Sequence, residues 1–272
     1  MVKRLLFAVV LLALLLAAAP GMADTAFTMS ERQLLGRFGV SYFVTSNYLD
    51  DDGDRRQLPD TFYREIAGHL ELRWALLGRL ELGFATHVQN QYLTDNFDDY
   101  NRTNLGDVEF DVLLRLLGGT RAALGVSVKG KFPFFYDESD DLPPGDGQID
   151  VEGRVLAGLK FSLFTAAGDF GYRFRAEDPA DQYVYGVEIG FAHSIVYGLL
   201  RLDGYASLGN EEKDAELRYW QHGPDYDAGY VNVKCGVKIS NHWSVDLTTS
   251  YSAYGRNIAQ GTTLILGTNV VF

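Results

Sequence analysis

From about Gly36 to Phe272 the side chains alternate between apolar and polar, with no sustained helical period. Trp243, Val245, Leu247, Thr249, Tyr251 and Ala253 share one parity; Ser244, Asp246, Thr248, Ser250 and Ser252 share the other. An extended chain sends successive side chains to opposite sides, so this stretch makes a strand with one apolar and one polar face. Tyr183, Tyr185, Val187, Ile189 and Phe191 repeat the pattern against Glu188 and Gly190. So do Leu80, Leu82 and Phe84 against Glu81, Gly83 and Ala85, and Phe170, Tyr172 and Phe174 against Asp169, Gly171, Arg173 and Arg175.

Twelve such segments can be read, at 36–48, 62–76, 79–93, 106–117, 121–133, 148–161, 164–176, 182–195, 198–209, 226–240, 243–255 and 262–272. Each is long enough to cross a bilayer as a tilted strand of roughly 9–11 residues, and their even number suits a single-chain bacterial barrel. Short turns at 77–78, 118–120, 162–163, 196–197 and 241–242 alternate with longer polar loops at 49–61, 94–105, 133–147, 177–181, 210–225 and 255–261. That is the asymmetry of periplasmic turns against extracellular loops, and it puts both termini on the short-turn side. The pattern predicts an all-β fold, a transmembrane antiparallel up-and-down β-barrel of about twelve strands over 36–272. A soluble sandwich also alternates, but it buries its apolar face and has no need of systematically unequal connections.

The start of the chain reads differently. Lys3 and Arg4 precede an apolar run over 5–19, followed by Pro20, Gly21, Met22 and Ala23. This is a secretory signal peptide over 1–23, with small residues at Gly21 and Ala23 where a signal peptidase reads. Residues 24–35 then form a lead segment, in which 30–35 suits a helical turn against the barrel mouth. No later stretch reaches 18 consecutive apolar residues, so no transmembrane helix is expected after the leader. The one cysteine, Cys235, allows no internal disulfide and is placed by parity toward lipid.

Composition narrows the class. Hydrophobic residues make up 47% of the chain, aromatic ones 13%, and mean hydropathy is −0.08. This is too apolar for disorder and too polar for a helical membrane bundle. A net charge of −12 argues against nucleic acid as a partner. Much of the acid sits in the long loops: Asp50, Asp51, Asp52 and Asp54; Asp95, Asp98 and Asp99; Asp137, Glu138, Asp140 and Asp141; Glu211, Glu212 and Asp214. The plain expectation is solvated loops. The sharper one is divalent cations bridging these loops to lipopolysaccharide, although the ordered spacing of an EF-hand is missing. Trp74 and Trp243 near the short-turn end, and Tyr48, Tyr92, Phe62, Tyr183 and Tyr251 near the loop end, stand where interfacial girdles belong. The chain ends on Phe272, with Val270, Leu266 and Leu264 on its face. That ending resembles the C-terminal signature read by the barrel-assembly machinery of the bacterial outer membrane, the expected location.

If the apolar face meets lipid, the polar face lines the lumen. Glu65, Glu71, Glu81, Asp107, Glu109 and Asp111 give an acidic wall, opposed only by Arg73 and Arg115. Lys129, Lys131, Arg154, Lys160, Arg173 and Arg175 give a basic wall, alongside Asp150, Glu152 and Asp169. Two readings stay open: a lumen closed by ion pairs, or a water-filled pore with a transverse field.

Asn104-Leu105-Gly106-Asp107-Val108, leading to Leu113-Leu114-Arg115-Leu116-Leu117, resembles a family of outer-membrane transporters, the MetA-pathway phenol-degradation family, itself distantly like FadL-type channels. Lys131-Phe132-Pro133 and Gly145-Asp146-Gly147-Gln148-Ile149-Asp150 are similar to that family's strand end and to its Gly-x-Gly-x-x-Asp approach into the next strand. The resemblance covers about 104–175 and implies passage of small solutes, aromatic or hydrophobic ones included. The charged lumen fits that implication poorly.

Nothing here points to an enzyme. A lipid hydrolase of this membrane needs a Ser-His pair on the lipid face. His242 and Ser244 share the lumen parity, His87 faces the lumen, and the adjacent His193 and Ser194 point to opposite faces. No metal cluster, phosphate loop or cofactor motif is present, and no cofactor is expected. The expected role is a channel or transporter for small solutes. The alternative is a closed structural or surface-binding barrel acting through its acidic extracellular loops. The leader makes a first testable statement: N-terminal sequencing of protein recovered from membranes will begin at Asp24, and retention of Lys3 and Arg4 would contradict it.

Overall fold

A computed structural model describes residues 27, 29–57, 60–94, 99–136, 142–176, 180–209 and 222–272. The expected signal peptide, the start of the lead segment and the acidic stretches at 95–98, 137–141 and 210–221 lie outside the described residues. The regular elements are β1 (Leu34–Leu49), β2 (Arg55–Gln57), β3 (Phe62–Leu77), β4 (Leu80–Thr94), β5 (Asp99–Gly118), β6 (Ala122–Phe132), β7 (Asp150–Phe161), β8 (Phe164–Arg175), β9 (Gln182–His193), β10 (Val196–Ser207), β11 (His222–Lys238) and β12 (Trp243–Val271).

β1 and β3 to β12 form the wall, each antiparallel to the next, and β1 pairs with β12 to close it. β2 is a short addition paired only to the outer end of β1, Asn47↔Gln57 to Leu49↔Arg55. β12 is one extended segment of 29 residues that folds back on itself. Its first arm pairs with β11 from Lys238↔Ser244 to His222↔Ile258, and its second pairs with β1 from Leu49↔Ile258 to Leu35↔Val271. Asn257 sits at the reversal with φ 56°. At the far end Val271 N–H donates to the His242 carbonyl at 3.4 Å. β12 therefore crosses the membrane twice, and its arms are the predicted segments 243–255 and 262–272. The loop expected at 255–261 is instead paired, Gly255 to Ala228 and Gln260 to Asn47.

Two further expectations change. The loop expected at 94–105 is mostly strand, because β5 starts at Asp99 and pairs back onto β4 through Thr94↔Asp99. On its outer face the Asn90 amide donates to Asn101 Oδ1 at 2.8 Å and Thr103 Oγ1 at 2.9 Å, so polar residues extend the hairpin. The helical turn expected at 30–35 is a tight turn at Glu31 and Arg32 leading directly into β1. Arg32 N–H donates to the Ala75 carbonyl at 2.7 Å and Ala75 N–H returns to Gln33 at 2.9 Å, so the ladder to β3 captures this backbone.

The burial pattern is inverted relative to a soluble protein. Val187, Phe170 and Leu266 are 59%, 58% and 58% exposed, whereas Gln182 and Glu188 are 0% and 2%. Apolar side chains point out and polar ones in, as a closed barrel in lipid requires. Cys235 is exposed between Val233 and Val237 on the lipid face. A charge placed on this belt should destabilise the barrel. Val187→Arg, near the middle of β9, is expected to cost about 2–4 kcal/mol in denaturant unfolding from vesicles, and Val187→Leu close to nothing. Equal stability of the two variants would mean that the face does not meet lipid.

Candidate functional site: the barrel lumen

The lumen holds a cavity of about 610 Å³, lined at the short-turn end by Ser30, Gln33, Asn241 and His242 and deeper by charged side chains of the wall. The predicted lumen residues fall into linked ion pairs. Arg37 grips Glu71 at 3.1 and 3.0 Å, Glu71 also accepts Arg73 Nε at 2.7 Å, and Arg73 reaches Asp111 at 3.2 Å. Lys129 pairs with Glu109 at 3.4 Å across the seam between β5 and β6. Lys131 lies 3.9 Å from Asp107 and 2.9 Å from Asp150, and it also pairs with Asp146. Arg154 bonds Glu152 at 2.5 Å and pairs with Asp169. Arg173 donates to Glu152 at 2.9 and 2.8 Å and lies over the Tyr205 ring at 4.3 Å. Arg175 donates to Asp146 at 2.6 Å.

Three predicted residues stand differently. Glu65 accepts Tyr63 Oη at 2.9 Å. Glu81 accepts the Met29 backbone N–H. Lys160 lies at the short-turn end of β7 with no ion pair among the described residues. The two sets of charge thus interlock along the β5–β6 seam. Parity also marks Arg37, Arg201 and Asp203, and Glu188 on the polar face of β9, none of which was counted in the two charged walls. Arg201 pairs with Asp169 at 2.9 Å, Asp203 at 3.1 Å and Glu188 at 3.7 Å. In a low-dielectric wall such groups persist only as mutually satisfied networks. A hydroxyl–imidazole contact was also missed: Ser41 Oγ and His69 Nε2 lie 2.7 Å apart, with the His87 ring 5.8 Å from that of His69. Ser41, His69 and His87 lie on the neighbouring strands β1, β3 and β4, and the register brings them together.

The outer half is narrowed by residues 142–147 of the connection between β6 and β7, which lie inside the wall. Leu142 is 2% exposed against Tyr63 and Leu93. Gln91 donates to the Pro143 carbonyl and Asn104 to the Leu142 carbonyl, both at 3.3 Å. Tyr136 Oη donates to Asp107 at 2.6 Å and accepts the Gly147 N–H at 3.2 Å. The two glycines explain the turn: a Cβ at Gly145 would stand 2.2 Å from Tyr136 Oη, and Gly147 has φ 72°. Burial pushes the Asp146 carboxyl up, but Lys131 and Arg175 outweigh it and hold the group down at about 2.

No family model and no curated protein matches the sequence. Solved structures do match in shape. The KdgM porin superposes with TM-score 0.50 at 9% identity, over 86% of this chain and 99% of that one. The NanC porin gives 0.52 at 8%, over 87% and 98%. The translocator domain of the autotransporter NalP from Neisseria meningitidis gives 0.51 at 8%, over 89% of each chain. The fold is that of the bacterial outer-membrane β-barrels, porin-like in build, and the apolar belt places the protein in that membrane.

The Asp146 anchor is testable by pH. A carboxyl held at about 2 against 3.8 stabilises the fold fully above about pH 4 and loses that contribution as pH falls toward 2. Asp146→Asn is expected to cost about 2 kcal/mol at pH 7 in urea unfolding. The gap to the native protein should close as pH falls toward 2. A gap independent of pH would show that the anchor is not electrostatic.

Proposed function

We propose that the protein lets small polar solutes cross the outer membrane through its lumen. The observation that carries this is the inversion of the wall, apolar outside and charged inside, around a cavity of about 610 Å³. A space lined by so many charges is filled by water or by polar solute. Fixed charges within it act on permeating ions at close range. Seven carboxylates and five lysine or arginine side chains line the cavity, which favours cations and neutral solutes over anions. One KdgM porin structure carries oligogalacturonate, an acidic sugar chain; the surplus of carboxylate here argues against such a solute. The resemblance over 104–175 extends the proposal to small aromatic or hydrophobic solutes.

The inward-folded connection around Leu142 supports a second reading, a barrel shut at rest whose role is structural or surface-binding. In that reading the acidic loops hold lipopolysaccharide through divalent cations. In both, Phe272 is the signal for the assembly machinery.

Single-channel recording of the refolded protein in a planar bilayer separates the two. The passage reading expects discrete, salt-dependent openings with a cation preference, strengthened by Lys129→Glu, since Lys129 is 31% exposed to the lumen. Silence from protein whose fold is verified by heat-modifiable gel mobility would favour the shut barrel.

A further inference from the structure

One patch of the lumen is not polar. Leu113, Ala123 and Leu156, on β5, β6 and β7, form a buried apolar cluster facing inward, and the ring of Phe27 packs on it. The recess is deepened by Gly158, where a Cβ would stand 2.7 Å from Phe27 Cε2. Glu81 on β4 is the register partner of Leu113, so a carboxylate only 4% exposed borders the patch directly. That carboxylate accepts the backbone N–H of Met29. The segment before β1 therefore offers the wall two things at once, an aromatic ring for the apolar recess and an N–H donor for the carboxylate two residues on.

We infer that this corner of the lumen is a binding site for a small organic cation carrying an aromatic or comparably bulky apolar group, occupied in this structure by the chain's own Phe27 and Met29. Two arguments favour a cation. Glu81 is one of seven carboxylates against five lysine or arginine side chains in this cavity, and an ammonium brings that surplus an opposite charge as well as a hydrogen bond, whereas the Met29 amide brings only its dipole. An anion of the same shape would meet Glu81 and the surplus carboxylates of the cavity, and like charge rejects it. The apolar recess supplies the rest of the affinity by burial of the ring. Access is from the short-turn mouth past Ser30 and Gln33. This site deepens the solute-passage proposal and rests on the lumen being open to solutes from that side.

The test is isothermal titration of the refolded full-length protein in detergent, with phenethylammonium and with phenylacetate as its anionic counterpart. Phenethylammonium should bind and phenylacetate should not. Glu81→Gln should weaken phenethylammonium about tenfold or more. Phe27→Ala should tighten it several-fold, because the resident competitor is gone; a purely structural role for Phe27 would not produce that gain. If Glu81→Gln fails to fold, the ligand pair and Phe27→Ala decide alone. Equal binding of both ligands, no binding by either the native or the Phe27→Ala protein, or no gain in Phe27→Ala would each overturn the site. Calorimetry does not depend on conduction. Binding by a protein silent in bilayers keeps the site and removes the open channel, and conductance without binding does the reverse.

Discussion

Closure of the β1–β12 seam is the constraint on which everything else depends. In hydrocarbon no water is present to satisfy a sheet edge, so each backbone N–H and C=O must find a partner in the wall. Here the second arm of β12 supplies those partners to β1 from Leu35↔Val271 to Leu49↔Ile258. Once the wall is closed, strand alternation leaves only two environments, lipid and lumen. The chain fills the first with Val, Leu, Ile and Phe and the second with polar side chains, which are then enclosed with limited water and must satisfy one another.

That second demand explains the lumen's chemistry. Lys129 reaches Glu109 diagonally across one strand seam, Arg173 and Glu152 face each other across another, and Arg201 draws together Asp169, Glu188 and Asp203. Breaking one partner of such a pair strands a charge in a poor solvent, so each network is a rigid feature of the wall as well as an electrostatic one. Rigidity concentrates near the outer half, where Asp146 ties the inward connection to Lys131 and Arg175. The cavity of about 610 Å³ reaches the short-turn end at Ser30, Gln33, Asn241 and His242. The lumen is therefore polarised along its axis, with the cavity reaching one end and a narrowing at the other.

The wall was legible in the sequence because a period of two needs only local information. The cores of the strands, the lipid-facing Cys235 and the lumen charges on β3 to β8 follow from parity. The interior was not, because it depends on register and on chain that leaves the wall. Gly145-Asp146-Gly147 reads as a turn, but its inward direction is set by Tyr136 and Asp107, which the sequence does not place nearby. Phe27 reads as part of a featureless lead segment, yet its ring finds Leu113 and Leu156 inside the barrel. The interlocking of acidic and basic sets was likewise hidden, since it turns on Lys129 facing Asp111 and Lys131 facing Glu109 in the ladder. The hairpin at Asn257 was hidden for the opposite reason: polar, glycine-bearing chain reads as loop, and only the ladders on both sides show it to be paired.

The property that decides function is a hydrated lumen, wider toward the short turns and narrowed, yet passable to small solutes, at the loop end. Its most direct test replaces Cys235 with serine, introduces a cysteine at Glu109, and offers a charged, membrane-impermeant thiol reagent from each side of an oriented proteoliposome. Passage predicts modification from both sides, faster from the short-turn side. Protection from both sides would mean a lumen packed solid, and protection from the loop side alone would mean a barrel shut by the inward connection; either contradicts passage.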